Sequence, residues 1–273
     1  MDRAGSGGWW LASDGCWYPP QAETRVRATL GSRTLITGGL IAAIVAGLVG
    51  LAVIWRSPIA PLSVPPPVPS SPGRALFARA TNDAGLQGWV HISVSATFGT
   101  TATVLTGDVG PSDGQETIHI GKQSATAIYL GQVAYAHFDS AALAQALGLP
   151  SMSAAAFGRW VSFEPADRGF GPLTQGLTLS SAVSQLFHWP DHLSLGSPPT
   201  VDGQQVVPIT GEARLGGRTI KATLDVTRSA HPLPVEINAS GTAASETVIF
   251  SNWGRPVTIA APSGAQPASG LTG

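Results

Sequence analysis

The chain contains one sequence that matches a catalytic serine motif, around Ser112. Residues 110–114 read GPSDG, which fits the G-x-S-x-G pattern of serine hydrolases. In those enzymes the serine stands on a sharp turn between a strand and a helix. Here the proline and the Asp-Gly pair are typical of a tight turn between two strands. The residues around Ser112 therefore predict a hairpin turn and not a nucleophile.

A second cluster offers metal ligands in residues 188–192, which read HWPDH. His188, Asp191 and His192 all carry side chains that coordinate metals in proteins. Pro190, however, prevents the helical geometry that would align the two histidines, and no second cluster completes the site. We interpret this segment as a surface loop.

The other candidate groups form no recognisable site. Four further histidines are scattered along the chain, without a carboxylate at a suggestive spacing: His91, His119, His137 and His231. The only cysteine, Cys16, excludes internal disulfides and any metal site built from several thiolates. The sequence therefore predicts no catalytic residues, no metal and no cofactor, and we do not expect an enzyme.

The composition argues against nucleic acid as a partner and is unusual for a soluble protein. The 273 residues carry 15 Lys+Arg against 16 Asp+Glu, a formal net charge of −1, so no basic excess is available to neutralise phosphates. Only 11% of the residues are charged, against about a quarter in a typical soluble domain. The chain also contains 33 glycines and 22 prolines.

Residues 35–55, LITGGLIAAIVAGLVGLAVIW, account for much of this low charge. The segment is uncharged, and as a helix it spans about 30 Å, the thickness of the hydrocarbon core of a bilayer. A cleaved signal peptide has a shorter apolar region, and the Pro61 that follows Ala60 disfavours cleavage there. A buried helix of a soluble protein rarely runs this long without a polar residue. Residues 35–55 are therefore predicted to be an uncleaved transmembrane helix.

Flanking charges predict the orientation of this helix. Arg25, Arg27 and Arg33 precede it closely, whereas Arg56 alone follows it directly. By the positive-inside rule, the N-terminus lies in the cytoplasm and the C-terminal part is extracytoplasmic, as in a single-pass protein of the cell membrane. One helix face consists of small residues that permit self-association in the membrane: Gly38, Ala42, Ala46 and Gly50.

Four further segments follow from composition. Residues 1–34 are a cytoplasmic segment with a Trp-rich motif, GWWLASDGCWYPP from Gly8, and residues 56–73 form a proline-rich stalk. Residues 74–261 are predicted to be one extracytoplasmic domain, and residues 262–273 a flexible tail.

In the Trp-rich motif, either Asp14-Gly15 forms a hairpin turn across which Trp10 and Trp17 stack, or the aromatic residues form a patch that binds a membrane or a partner.

Alternation of apolar and polar residues predicts that strands dominate residues 74–261. The predicted strands are residues 89–98, 101–108, 117–120, 126–130, 134–138, 160–163, 206–210, 219–226, 235–238, 247–250 and 257–260. Helical patterns are found only at residues 74–84, 140–147 and 179–187, the second with Ser140 as its cap and Gly148 as its end. The predicted class is α+β, a large antiparallel sheet with a few helices.

Several segments of this domain resemble the actinobacterial LppX/LprG-type lipoproteins. They are YLGQVAYAHFDSAALAQALGLP from Tyr129, GRWVSFEPAD from Gly158, TVDGQQVVPITG from Thr200, LPVEI from Leu233 and FSNWGRPVTIAAP from Phe250. The resemblance implies a LolA-like fold, in which a strongly bent antiparallel sheet, a half-barrel, wraps an apolar cavity that helices cover. Members of the family bind acyl chains or lipidated glycolipids and carry them between membrane and envelope. This chain has a transmembrane anchor where the family has a lipidated cysteine.

The resemblance implies that the apolar face of the sheet, together with the helices, lines a lipid cavity. Candidate lining residues are Val90, Ile92, Val94, Phe98, Ile118, Ile120, Leu143, Leu147, Leu179, Leu186, Ile220, Leu224, Ile237 and Phe250. The expected function is lipid or acyl-chain binding by an anchored protein that assists lipid or lipoglycan transfer across the envelope, with membrane lipids or lipidated glycolipids as partners. The alternative is an interaction or sensory module, because the same alternating pattern also serves a filled core.

Overall fold

The computed structural model describes residues 10–11, 17–18, 71–186, 193–201, 203–215, 218–241 and 244–271. The predicted transmembrane helix, most of the stalk and the HWPDH segment lie outside these residues. No helix within the described ranges is long and apolar enough to cross a membrane.

Two short strands form a separate N-terminal unit. β1 (Trp10–Leu11) and β2 (Trp17–Tyr18) pair antiparallel, and the predicted turn at Asp14-Gly15 lies outside the described residues. The register places Trp10 opposite Tyr18 and Leu11 opposite Trp17. The backbone register therefore does not place Trp10 opposite Trp17.

The remaining strands form one sheet of 13 strands. They are β3 (Val90–Phe98), β4 (Thr101–Val109), β5 (Gly114–Ile120), β6 (Gln123–Leu130), β7 (Val133–Phe138), β8 (Trp160–Phe163), β9 (Ser194–Leu195), β10 (Thr200–Val201), β11 (Gln204–Leu215), β12 (Arg218–Thr227), β13 (Pro234–Gly241), β14 (Ala244–Ser251) and β15 (Gln266–Pro267). Their order is β10-β11-β12-β13-β14-β3-β4-β5-β6-β7-β8-β15, with β9 paired to β11. All pairs are antiparallel except β8 with β15. The bent sheet confirms the predicted α+β class.

In the described part of the chain, four α-helices accompany the sheet: α1 (Pro72–Gly85), α2 (Ala141–Ala146), α3 (Phe170–Thr174) and α4 (Leu179–Leu186). Helix α1 begins inside the predicted stalk, because Ser71 caps it and Pro72, whose fixed φ suits a first helical turn, starts it. The sequence correctly predicts Ser140 as the cap of α2, where its hydroxyl accepts a hydrogen bond from the Leu143 N–H. Helix α3 was not expected, since five residues are too few to show a helical period.

The C-terminal segment packs against the sheet, although its composition predicts a flexible tail. Gln266–Pro267 forms β15 beside β8, whereas residues 257–260, predicted to be a strand, are not one. Ala268 and Leu271 are buried in the same hydrophobic cluster as Val161 and Phe163 of β8. The Leu271 carbonyl accepts a hydrogen bond of 2.8 Å from the Ser153 N–H.

Deletion of residues 262–273 should therefore lower the free energy of unfolding by about 2 kcal/mol, close to the transfer free energy of one buried leucine. Denaturant unfolding followed by tryptophan fluorescence measures the change. Deletion of residues 272–273 alone is the matched control, because it leaves Leu271 in place. An unchanged midpoint in the longer deletion would show that β15 does not stabilise the sheet.

Candidate ligand-binding face

One face of the sheet, here called the inner face, is apolar across nearly its whole width. The strand registers align its side chains in rows that cross the sheet. The central row consists of Ile209, Leu224, Ile237, Val248, Val94, Leu105, Ile118, Ala125 and Phe138. Because side chains alternate along a strand, residues two positions away on each strand belong to the same face.

The inner face packs into two hydrophobic clusters. The first lies on β3 and β11–β14 under α1 and α4, and the second lies on β5–β8 with α2 and α3. The first contains these predicted lining residues: Val90, Ile92, Val94, Leu179, Ile220, Leu224, Ile237 and Phe250, with Phe98 partly buried at its margin. The second contains Ile118, Ile120 and Leu143, with Leu147 at its margin. The side chain of Leu186 is outside the described part of the chain.

Leu105 lies between the two clusters. It is partly buried and packs against both of them. Most residues of the central row are buried, and Leu224 has no accessible surface at all. The inner face is therefore closely packed at Leu224, but it retains accessible apolar surface at Leu105.

The connection from α3 to α4 crosses one end of this region. The Leu179 N–H donates a hydrogen bond of 2.7 Å to the Gly110 carbonyl. A Cβ at Gly114 would lie 2.0 Å from the Leu177 carbonyl oxygen, so only glycine permits this close approach. The crossing segment is thus fixed to the β4–β5 turn, next to the position of Glu116.

Glu116 is a carboxyl group on the inner face. It lies in the row Ile92, Gly107, Glu116, Ala127, Ala136 and Val161. Protein surrounds its carboxyl group, and the residue as a whole is half-buried. Burial raises the pKa of Glu116 from 4.5 to about 7. Among the described residues, none hydrogen-bonds or ion-pairs with it.

Two further polar side chains occupy the same face near its other end. Glu246 stands between Ala239 and Ala96 on the neighbouring strands, and burial raises its pKa. Thr103, which pairs with Ala96, is buried, and its hydroxyl has no hydrogen-bond partner within the described structure. Sequence reasoning missed these residues, although Glu116 precedes Ile118, and Glu246 precedes Val248, by two positions. Because side chains alternate between the two faces of a strand, this spacing places each glutamate on the apolar face.

The opposite, outer face is polar and contains a group that resembles a catalytic triad. His91 Nδ1 lies 2.7 Å from Asp108 Oδ1, and His91 Nε2 lies 3.5 Å from Ser93 Oγ. No carboxylate stands at a suggestive sequence spacing from His91, but antiparallel pairing of β3 with β4 brings Asp108 opposite it. Since β3 pairs on both sides, its backbone N–H groups are engaged in the sheet and offer no oxyanion hole.

The other predicted chemical motifs carry no site in the described residues. The GPSDG motif forms the turn between β4 and β5, in which the Gly110 N–H donates to the Asp113 carbonyl at 2.8 Å. No group of three His, Cys, Asp or Glu residues in the described part of the chain is arranged to hold a metal. A surface pocket of about 340 Å³ lies beside the C-terminal segment, lined by Pro150, Phe163, Ala166, Asp167, Arg168, Gly169, Ala268 and Ser269.

Comparison with protein-family models and with curated proteins finds no match for this sequence. The fold is similar to solved structures at low identity. LprF from Mycobacterium bovis is 17% identical with a TM-score of 0.48, over 71% of this chain and 99% of that one. The Mycobacterium tuberculosis lipoprotein LppX is 16% identical with a TM-score of 0.45, over 68% and 98%. An uncharacterized conserved protein from Thermus thermophilus is 11% identical with a TM-score of 0.38, over 72% and 98%.

Proposed function

We propose that this chain binds a lipid or acyl chain on the inner face of its sheet. The observation that carries the proposal is the accessible apolar surface at Leu105, between two buried clusters of the same face. Burial of apolar surface drives the binding of hydrocarbon chains, and such sites are concave and mostly apolar. The resemblance to the LppX/LprG-type lipoproteins supports the same function.

The proposal includes the setting of the domain. Residues 35–55 anchor it in the cell membrane as a single-pass helix, with residues 1–34 in the cytoplasm and the sheet outside. An anchored domain of this kind assists the transfer of lipids or lipidated glycolipids across the envelope, and it binds its ligand without catalysing a reaction. The small-residue face of the anchor permits self-association.

A second candidate function is an interaction or sensory module with a filled core. The complete burial of Leu224, Ile209 and Val226 favours it, because close packing at these positions leaves no room for a ligand. The two functions differ in what they require of Leu105. An interaction module has no need of the inner face at Leu105, whereas a lipid-binding protein places its ligand there.

Leu105→Gln should weaken binding of a fluorescent monoacylglycerol by about tenfold, since an amide then replaces the apolar surface that the acyl chain contacts. Fluorescence titration of the purified full-length chain measures the dissociation constant. Val104→Gln is the matched control, because Val104 is the adjacent residue and is exposed on the outer face. If the unmodified chain binds no acyl probe, the lipid-binding function is refuted and the interaction module is favoured.

A further inference from the structure

Glu116 is an acidic side chain among small neighbours on an apolar surface. Gly107 stands opposite it on β4 and Ala127 on β6, and neither has a side chain long enough to cover the carboxyl group. The next residue along the row is again small, Ala136 of β7. The residues that flank Glu116 in this row are therefore small, and Gly107 approaches it so closely that a Cβ at position 107 would lie 3.1 Å from the Glu116 Cβ.

No protein group satisfies the Glu116 carboxyl within the described structure. Its altered pKa has burial as its cause, without a contribution from a hydrogen bond or a neighbouring charge. The titratable side chain nearest along β5 is His119, which lies on the outer face. On the neighbouring strand β6, Tyr129 lies opposite Gly114 and contacts Phe170. A carboxyl group that is buried without a partner destabilises a protein, and a ligand that supplies the missing hydrogen bond removes that cost.

We propose that Glu116 is a ligand-binding residue that accepts a hydrogen bond from a hydroxyl group of the bound lipid. This inference rests on the proposed lipid-binding function and specifies its ligand as an uncharged lipid with a free hydroxyl near the acyl chain. The acyl chain lies against Leu105, which is on β4 two positions from Gly107 and therefore on the same face. The hydroxyl lies above Gly107 and Ala127.

Charge selects against the other common lipid groups. A fatty acid would bring an ionised carboxylate into the same apolar surroundings, and burying that charge costs far more than burying a hydroxyl. An ammonium group would attract Glu116, but it would also lose its hydration in an apolar environment, which is costly. A hydroxyl donates one hydrogen bond at a much smaller desolvation cost.

The test compares three probes with the same palmitoyl or hexadecyl chain: 1-monopalmitoylglycerol, methyl palmitate and hexadecylamine. The full-length chain should bind monopalmitoylglycerol about tenfold more tightly than methyl palmitate, which has no donor. Glu116→Leu should remove this preference and still bind methyl palmitate. Glu116→Gln should keep the preference, because the amide oxygen still accepts a hydrogen bond from the hydroxyl. Glu212→Gln, at an exposed position, is the matched control and should change neither affinity.

Three results overturn the inference, and they differ in what else they affect. An unchanged preference for monopalmitoylglycerol in Glu116→Leu shows that Glu116 does not contact the hydroxyl, while lipid binding itself stands. Tightest binding of hexadecylamine, lost in Glu116→Gln, shows that Glu116 pairs with a cation instead. If none of the three probes binds, the proposed function fails as well.

Discussion

Leu224→Gln is expected to lower the free energy of unfolding by about 4 kcal/mol. Leu224 has no accessible surface and stands between Ile209 and Ile237 on the neighbouring strands. The substitution loses the burial of a leucine, about 2 kcal/mol, and buries an amide without a partner, which costs a similar amount. Denaturant unfolding of the full-length chain measures the loss.

Two comparisons make this prediction specific. Leu105→Gln on the same face should cost no more than about 1 kcal/mol, because its partly accessible side chain leaves the amide in contact with water. Lys221→Gln, on β12 but exposed, should have almost no effect on stability. A small loss of stability in Leu224→Gln, combined with loss of lipid binding, would show that the ligand site extends to Leu224 instead of ending near Leu105.

Leu224 also shows where reasoning from the sequence ends. Alternation along residues 219–226 correctly places Ile220 and Leu224 on the apolar face. It does not reveal whether a helix covers that face, because the pattern of apolar residues is the same for a filled core and for a cavity. That difference depends on how α1 and α4 pack on β11–β14, and these elements are far apart in the chain.

Strands with strong local signals were predictable, and those that depend on distant partners were not. Residues 89–98 alternate over nearly their whole length, and the structure has β3 at Val90–Phe98. β15 has only two residues, one of them a proline, and exists because β8 offers a free edge to it. No local property of residues 266–267 indicates that partner. The same reason explains why the composition of residues 262–273 predicts a loose tail.

The candidate site illustrates the same limit for polar residues. The position of Glu116 on the apolar face follows from its spacing to Ile118, so this part of the site could have been found. Its small neighbours could not, since Gly107 and Ala127 come from two other strands and meet Glu116 only through the register. His91 and Asp108 are a similar case on the outer face, where cross-strand pairing joins residues far apart in sequence.

Stability should decrease as the pH rises from about 4.5 to 7, and Glu116 should cause most of the change. Its pKa is 4.5 as a free side chain and about 7 in the folded protein, so the folded state binds the proton more tightly. Between these values the folded chain holds more protons than the unfolded chain, and the free energy of unfolding then falls with rising pH. The difference corresponds to about 3 kcal/mol, present in full below pH 4.5 and lost above pH 7.

Three other carboxyl groups with altered pKa values also contribute to the pH dependence of stability. Burial raises the pKa values of Glu246 and Asp225, so both add to the loss of stability with rising pH. The Ser124 hydrogen bonds lower the pKa of Asp139, so its contribution is lost only when the pH falls below the ordinary range of an aspartate. The contributions of Glu246 and Asp225 therefore have the same sign as that of Glu116, and the contribution of Asp139 has the opposite sign.

Glu116→Gln separates the largest contribution from the rest. An amide does not titrate, so the variant should lose most of the dependence between pH 4.5 and 7, whereas the exposed control Glu212→Gln should keep it. Denaturant unfolding at half-unit steps of pH measures both slopes. An equally steep slope in Glu116→Gln would mean that the Glu116 carboxyl is well hydrated, and the apolar surface beside Leu105 would then be open to bulk water. A lipid held there would gain little from burial, so this measurement tests the binding site without any ligand.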